Sequence, residues 1–222
     1  GFYGDGADGT IFLLGEGGTG GELVINGLGG GSPITDLIIP PGQSFDSITL
    51  QNGANVIAQG PIVLAETLRL RGDSRLAHPT ASEAGLSITA REVIVESGSA
   101  IDVTGRGYLG GNKTGLGETA HTLGFVAGSE RGTGGSHGGV GGKFSGSGAS
   151  VSTPVYGDPK RPNRLGAGGG AWSGNGGDGG GFVRIVATDR LVVDGAIRAN
   201  GALSSGSASG EGAGGSVWID TE

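Results

Sequence analysis

Residues 179–201 read GGGFVRIVATDRLVVDGAIRANG, and this stretch contains the unit that the rest of the chain repeats. Apolar side chains recur at about every second position in residues 182–187 and 191–193, which predicts two short strands. A glycine corner at Gly195 then leads to another apolar residue, Ile197. No helical period is present here, so the stretch predicts an all-β fold.

The same unit occurs three more times in the chain. Each copy has two apolar residues at a spacing of two, then a glycine-containing corner, then a further apolar residue. The sets are Ile48, Leu50 and Val56; Leu68, Leu70 and Leu76; Val93, Val95 and Ile101; and Leu191, Val193 and Ile197. Leu50 and Leu70 are 20 residues apart, and Leu70 and Val95 are 25 apart. This is the length of one coil of a β-solenoid, so we predict a right-handed parallel β-helix with stacked inward side chains.

A β-sandwich is the alternative, because it also shows short strands at regular intervals with turns between them. Two observations argue against it. No Asn-Gly or Asp-Gly turn joins paired strands of equal length, and one motif recurs where a sandwich would show a meander. The strings GGELVI, GGFVRI and GGSVWI, which begin at residues 20, 180 and 214, support the repeat as well.

A glycine-rich insertion separates the third copy from the fourth, since Val95 and Val193 are 98 residues apart. Residues 105–181 hold 28 of the 54 glycines. We therefore predict a β-solenoid part at 1–104, a glycine-rich insertion at 105–181 and a second β-solenoid part at 182–222. The insertion fits either a flexible linker or ordered loops and polyglycine helices with three residues per turn.

Composition restricts the partners and the chemistry. The net charge of −7 argues against nucleic acid or an anionic membrane as a partner. No apolar run approaches 18 residues, so no membrane insertion is expected. The chain has no cysteine, which excludes disulfides and thiolate zinc sites, and no methionine, even at position 1. The missing methionine indicates a processed product or a segment of a longer protein.

Several stretches together resemble the glycine-rich parallel β-helix segments of large secreted or surface-anchored bacterial proteins of the adhesin and fibre type. They are GDGADG near the start, the repeated glycine corners, SHGGVGG at 136–142, YGDPKRPNRLGAGGG at 156–170, and the closing glycine-led strands. The resemblance implies a right-handed solenoid and an extracellular or cell-surface role that is structural or adhesive. The polyglycine part is similar in kind to domains of phage tip adhesins.

The titratable residues do not form a recognisable catalytic or metal site in sequence. Asp5 and Asp8 could ligate Ca²⁺, but the remaining ligands of a calcium loop are absent, so a solvated turn is expected. The carboxylates Asp73, Glu96, Asp102 and Asp194 lie near corners without a recurring basic partner. His78, His121 and His137 are far apart. We predict no catalytic residue, no metal ligand and no cofactor.

These observations lead to a functional prediction. We expect a non-enzymatic extracellular structural module, a subunit or segment of a filament, matrix or adhesin, that assembles with itself or with neighbouring domains of a larger protein through open strand edges. The predicted assembly edges are Ile11, Phe12, Leu13 and Leu14 at one end and Val217, Trp218 and Ile219 at the other.

Two alternatives involve glycans or a host receptor. One is a carbohydrate-binding or polysaccharide-cleaving β-helix, and the other is a phage-type receptor-binding tip. In both, exposed aromatic rings would stack on a ligand, and the candidates are Tyr108, Tyr156 and Trp172.

Overall fold

Short strands stacked side by side dominate the computed structural model, which describes residues 9–13, 20–29, 33–144 and 154–221. In order, the strands are β1 (Gly9–Leu13), β2 (Glu22–Asn26), β3 (Ile34–Leu37), β4 (Ser47–Gln51), β5 (Asn55–Ala58), β6 (Ile62–Val63), β7 (Thr67–Leu70), β8 (Arg75–Ala77), β9 (Leu86–Val95), β10 (Ala100–Asp102), β11 (Phe182–Val193), β12 (Ala196–Arg198) and β13 (Ser216–Thr221). A single 3₁₀ turn at Leu123–Phe125 is the one helical element of the described residues.

The strands form two sheets. The eight-stranded sheet has the order β1-β2-β4-β7-β9-β11-β13, with β6 also paired to β9. The five-stranded sheet has the order β12-β10-β8-β5-β3, and all its pairs are parallel. In the larger sheet β1 pairs with β2 antiparallel, whereas the other pairs are parallel.

Residues that repeat in sequence are direct partners in the sheets. Leu50 pairs with Leu70, Leu70 with Val95, and Val95 with Val193. Each column therefore brings one aliphatic residue from every strand into the same core. Leu50, Leu70 and Val95 are fully buried, and burying one such side chain stabilises the fold by about 1.5–3 kcal/mol.

Three columns of this kind define the stack. The first contains Leu23, Ile48, Leu68, Val93 and Leu191; the second contains Ile25, Leu50, Leu70, Val95 and Val193; and the third, in the smaller sheet, contains Val56, Leu76, Ile101 and Ile197. All of these residues except Val193 belong, with their neighbours, to one continuous apolar cluster.

The predicted right-handed parallel β-helix is wrong as a fold class. The chain forms a mixed eight-stranded sheet and a separate five-stranded sheet, and these do not close into a clear solenoid. The antiparallel pairing of β1 also departs from the prediction. The spacing of the repeats predicts which residues stack on one another. It does not predict whether the sheets close into a solenoid, because closure depends on the corners, and the glycines there have no apolar side chain.

The described glycine-rich residues between β10 and β11, together with two segments that follow β12, form what we call the lobe. Its extended segments are 107–111, 118–121, 128–135, 166–171 and 176–181 before β11, and 199–202 and 210–215 after β12. The lobe residues therefore come from both sides of β11. The domain boundaries predicted at 104/105 and 181/182 stay a prediction. Within the described residues, no helix is long and apolar enough to cross a membrane.

Candidate functional site: the sheet edges and the lobe

Strand β13 forms one edge of the eight-stranded sheet. It pairs only with β11, through Val183–Val217 and Ile185–Ile219 among other partners. Ile185 is fully buried, but Ile219, the next member of the same column, is 43% exposed because no strand of the described residues lies on its other side. The outer backbone of β13 therefore carries N–H and C=O groups that a further strand can bind.

Strand β1 forms the opposite edge of the same sheet. It pairs antiparallel with β2, so that Phe12 lies opposite Leu23. Ile11, Phe12 and Leu13 are each 52% exposed, which is unusual for three consecutive large apolar residues in a strand. The structure thus places the described residues of both predicted assembly edges at the ends of the sheet. Leu14 lies outside the described residues.

A recess lies beside β1. Its volume is about 470 Å³, and it is lined by Phe12, Gly20, Leu23 and the segment 42–45. The rings of Phe12 and Phe45 meet edge to face with centroids 5.8 Å apart. A second recess of about 270 Å³ lies between the segments 37–43 and 58–63. Both recesses are partly apolar, and no sequence pattern predicted either of them.

Backbone hydrogen bonds between extended segments hold the lobe together. In the central segment, 166–171, residues three positions apart donate hydrogen bonds to the same neighbouring segment. The N–H groups of Gly166 and Gly169 donate to Gly180 and Gly177, those of Gly168 and Ala171 donate to His121 and Glu118, and that of Gly170 donates to Thr133. Every third residue of this segment therefore faces the same neighbouring segment, and three residues per turn is the period of a left-handed extended helix.

Glycine is required in the lobe because the backbones approach closely. A methyl group on Gly176 would overlap the carbonyl oxygen of Gly169, and one on Gly169 would overlap that of Gly210. None of the described glycines between 166 and 215 has a positive φ, so conformational freedom is not the reason for glycine there. Serine or alanine at these positions would push the segments apart.

A buried histidine that follows β8 binds the first residue of β11. His78 is fully buried. Its Nδ1 lies 2.7 Å from the carbonyl oxygen of Pro79, and its Nε2 accepts a hydrogen bond of 3.2 Å from the N–H of Phe182. Since a carbonyl can only accept, Nδ1 carries the proton and Nε2 is free to accept. Burial lowers the pKa of His78 to about 4. The hydrogen bond between Phe182 and His78 joins residues 104 positions apart in sequence, and no sequence pattern predicted it.

The predicted ligand-stacking aromatics lie in different environments. Tyr108 is 1% exposed, and its hydroxyl donates to Glu83, so its ring faces have no access to a ligand. Burial raises the pKa of Tyr108 to about 12. Tyr156 is half-buried and donates a 2.7 Å hydrogen bond to the carbonyl of Leu165. Trp172 is 40% exposed, and of these three residues it is the one that can meet a glycan; that role stays a prediction.

Two of the carboxylates considered as catalytic candidates are paired with arginines. Glu96 lies 2.7 Å from Arg69, whereas Asp102 lies between Arg75 at 3.6 Å and Arg198 at 3.4 Å. Burial raises the pKa of Asp102, but hydrogen bonds from Thr104 and Arg198 outweigh this and leave that pKa below its usual value. These exposed ion pairs link successive strands, and each contributes about 0–1 kcal/mol.

The remaining two candidates lie at corners of the stack. Asp73 sits at a corner with a φ of 63°, and the N–H of Asp194 donates to Val95 at the corner between β11 and β12. In the part of the chain that the structure describes, no three His, Cys, Asp or Glu residues form a group that could hold a metal ion. Asp5 and Asp8 lie outside that part.

No protein-family profile, no curated protein sequence and no solved structure gave a significant match to this chain.

Proposed function

We propose that this chain is a non-enzymatic structural module of the cell surface or extracellular space, a subunit or segment of a filament, matrix or adhesin. It assembles through the open strands at the two ends of its larger sheet. The observation that carries the proposal is the exposure of apolar side chains on both edge strands, Ile11 to Leu13 on β1 and Ile219 on β13.

Edge strands of this kind are normally protected. Natural sheets use short edges, charged side chains, proline or a covering loop to prevent pairing with other chains. In β1 the sequence GTIFL carries no charge and no proline. In β13 the first charged residue is Asp220, which follows the apolar run Val217 to Ile219. Both edges thus favour strand addition, which supplies backbone hydrogen bonds and apolar burial together.

The extracellular location is proposed on the resemblance of the repeats and glycine-rich stretches to surface proteins of the adhesin and fibre type. Antibody labelling of intact source cells tests it. Labelling without permeabilisation is the expected result, and labelling only after permeabilisation would contradict it.

The assembly itself is tested with the purified chain. Sedimentation velocity over a hundredfold range of concentration is expected to show a shift from the 21.5 kDa monomer to larger species, and electron microscopy is expected to show regular rods or networks. A matched pair of substitutions distinguishes assembly through the strand edges from nonspecific aggregation. Ile219→Lys on β13 is expected to reduce assembly, whereas Leu203→Lys, at a residue that is 83% exposed but outside any strand, is expected to leave it unchanged. A monodisperse monomer at every concentration would refute this proposal.

A further inference from the structure

We infer that copies of this chain join head to tail, with the β1 end of one copy seated on the β13 end of the next. This inference rests on the proposed function and names its partner, a second copy of the same chain. It follows from the position of the two ends in the stack, from the side chains exposed there, and from a projection at one end that matches a recess at the other.

The β13 end exposes the last members of the three core columns. Val93 and Val95 are fully buried, whereas Leu191 is partly buried and Val193 is 40% exposed. Ile101 is fully buried, but its partner Ile197 is only partly buried. All three columns therefore stop at the same level of the stack, at β11 and β12. A further layer of apolar side chains would bury them as the earlier members are buried.

The β1 end lies at the other extreme of the same columns. Phe12 is paired with Leu23 and Thr10 with Ile25, which are the first buried members of the columns that end at Leu191 and Val193. Strand β3 likewise begins the column that ends at Ile197. A second copy displaced along the stack therefore places its β1 over residues 190–193 of the first. The incoming Phe12, which is 52% exposed, would lie over Leu191 and supply an apolar side chain of the missing layer, while Ile11 would lie over Val192 on the outer face of the sheet.

The shapes of the two ends are also complementary. Strand β13 stacks on residues 182–187 of β11, so it projects one strand beyond residues 190–193, which have no partner on that side. The larger recess at the β1 end is lined by Gly20 and the segment 42–45, which precede β2 and β4. Because β2, β4 and β11 run in the same direction, the recess lies on the side of the stack from which β13 projects. The projecting Val217 and Ile219 thus face an apolar recess of about 470 Å³.

Backbone direction is compatible with this arrangement. Strand β1 is antiparallel to β2, and β2 is parallel to β11 through β4, β7 and β9. The new pair between β1 and residues 190–193 would be antiparallel, which is a stable ladder. Head-to-tail contacts use two different surfaces and do not close, so they produce a polar filament. Contacts between two like ends would instead produce a dimer.

Two end-blocked variants separate these cases. Val193→Lys with Ile219→Lys blocks the β13 end, and Phe12→Lys blocks the β1 end. All three side chains are at least 40% exposed, so the fold is expected to survive, and far-ultraviolet circular dichroism checks this. In the head-to-tail arrangement each variant alone is monomeric, and an equimolar mixture forms a dimer of one copy of each. Leu203→Lys serves as the control and assembles as the unmodified chain does.

Each other outcome has a defined meaning. Dimers in either blocked variant alone would show contacts between like ends and overturn the inference, as would a mixture that stays monomeric while the unmodified chain assembles. If the unmodified chain itself stays monomeric, the proposed function fails first.

Cysteine cross-linking gives a second readout with smaller changes. The chain contains no cysteine, so Thr10→Cys and Val193→Cys, whose positions lie in one column of the proposed contact, can be made separately, mixed and mildly oxidised. Disulfide dimers containing one copy of each variant are expected to exceed the dimers of like copies. Like dimers alone would contradict head-to-tail contact.

Discussion

At the scale of single residues, His78 shows how one buried polar group fixes the position of a distant strand. Its neutral ring accepts from the N–H of Phe182 through Nε2 and donates from Nδ1 to Pro79. Protonation of Nε2 would remove the acceptor and leave the N–H of Phe182 buried without a partner. Burial is also what lowers the pKa of this ring to about 4.

A pH dependence of stability follows from His78. The folded ring stays neutral down to about pH 4, whereas in the unfolded chain the ring takes up a proton below its ordinary value of 6.5. The stabilisation is therefore complete above pH 6.5 and is lost as the pH falls from 6.5 to 4. At 1.36 kcal/mol for each pKa unit, the loss is about 3 kcal/mol.

Urea unfolding between pH 7.5 and 4 measures this effect. His78→Gln keeps a carbonyl acceptor and an amide donor but does not titrate, so its unfolding free energy is expected to fall less steeply than that of the unmodified chain. Equal slopes for the two proteins would contradict the role assigned to His78.

At the scale of elements, the extended glycine segments are held mainly by backbone groups. The segment 176–181 exchanges hydrogen bonds with the segments 107–111, 166–171 and 210–215. Each neighbour is reached by residues three positions apart, so every side of the segment faces another backbone. A single added methyl group therefore disturbs a contact between main chains.

Gly176→Ala tests this packing. The new methyl group would overlap the carbonyl of Gly169, and overpacking of this kind costs about 1–3 kcal/mol of unfolding free energy. Gly139→Ala is the matched control, because a methyl group there meets nothing within 4 Å and Gly139 has no positive φ. The control is expected to change stability by about 0.5 kcal/mol or less. Equal effects in thermal unfolding would show that the close approach at Gly176 has no importance for stability.

At the scale of the whole molecule, the lobe and the sheets are expected to unfold together. Gly181 donates to Val103 over 2.8 Å, and Ser216 donates to Gly181 over 3.0 Å. Tyr108 of the lobe packs in one apolar cluster with Phe182 of β11, and Trp218 of β13 packs against the same cluster. These contacts leave no plane along which the two parts can separate without loss of buried groups.

The two tryptophans report on the two parts. Trp172→Phe leaves Trp218 as the reporter of the larger sheet, and Trp218→Phe leaves Trp172 as the reporter of the lobe. The fluorescence change on denaturation is expected to coincide with the change in circular dichroism in both variants, as for a two-state transition. A lower midpoint for Trp172 alone would show that the lobe unfolds independently.

The sequence predicted some of this architecture and not the rest, for physical reasons. Apolar alternation identified Leu50, Leu70, Val95 and Val193 as repeating positions, and these residues are indeed neighbours in one column. Alternation carries no information on closure or on strand direction, so the β-helix prediction failed at β1 and between the two sheets.

The sequence likewise predicted only part of the candidate site. The edge strands were predicted because their apolar runs are visible in sequence. The recess beside β1 and the contact of His78 with Phe182 were not, because they depend on residues brought together by the fold. The partners within the lobe were also hidden, since glycine has no side chain that could mark which neighbour it faces.

The backbone-rich packing of the lobe has a thermal consequence. On unfolding, exposed apolar surface raises the heat capacity, and exposed polar surface lowers it. Because the lobe buries mainly peptide groups, its contribution is expected to lie below the usual value of about 12–15 cal/mol/K per residue. The lobe therefore flattens the stability curve of the whole molecule, so that its free energy of unfolding changes less between cold and warm surroundings than that of a chain of the same length with an entirely aliphatic core.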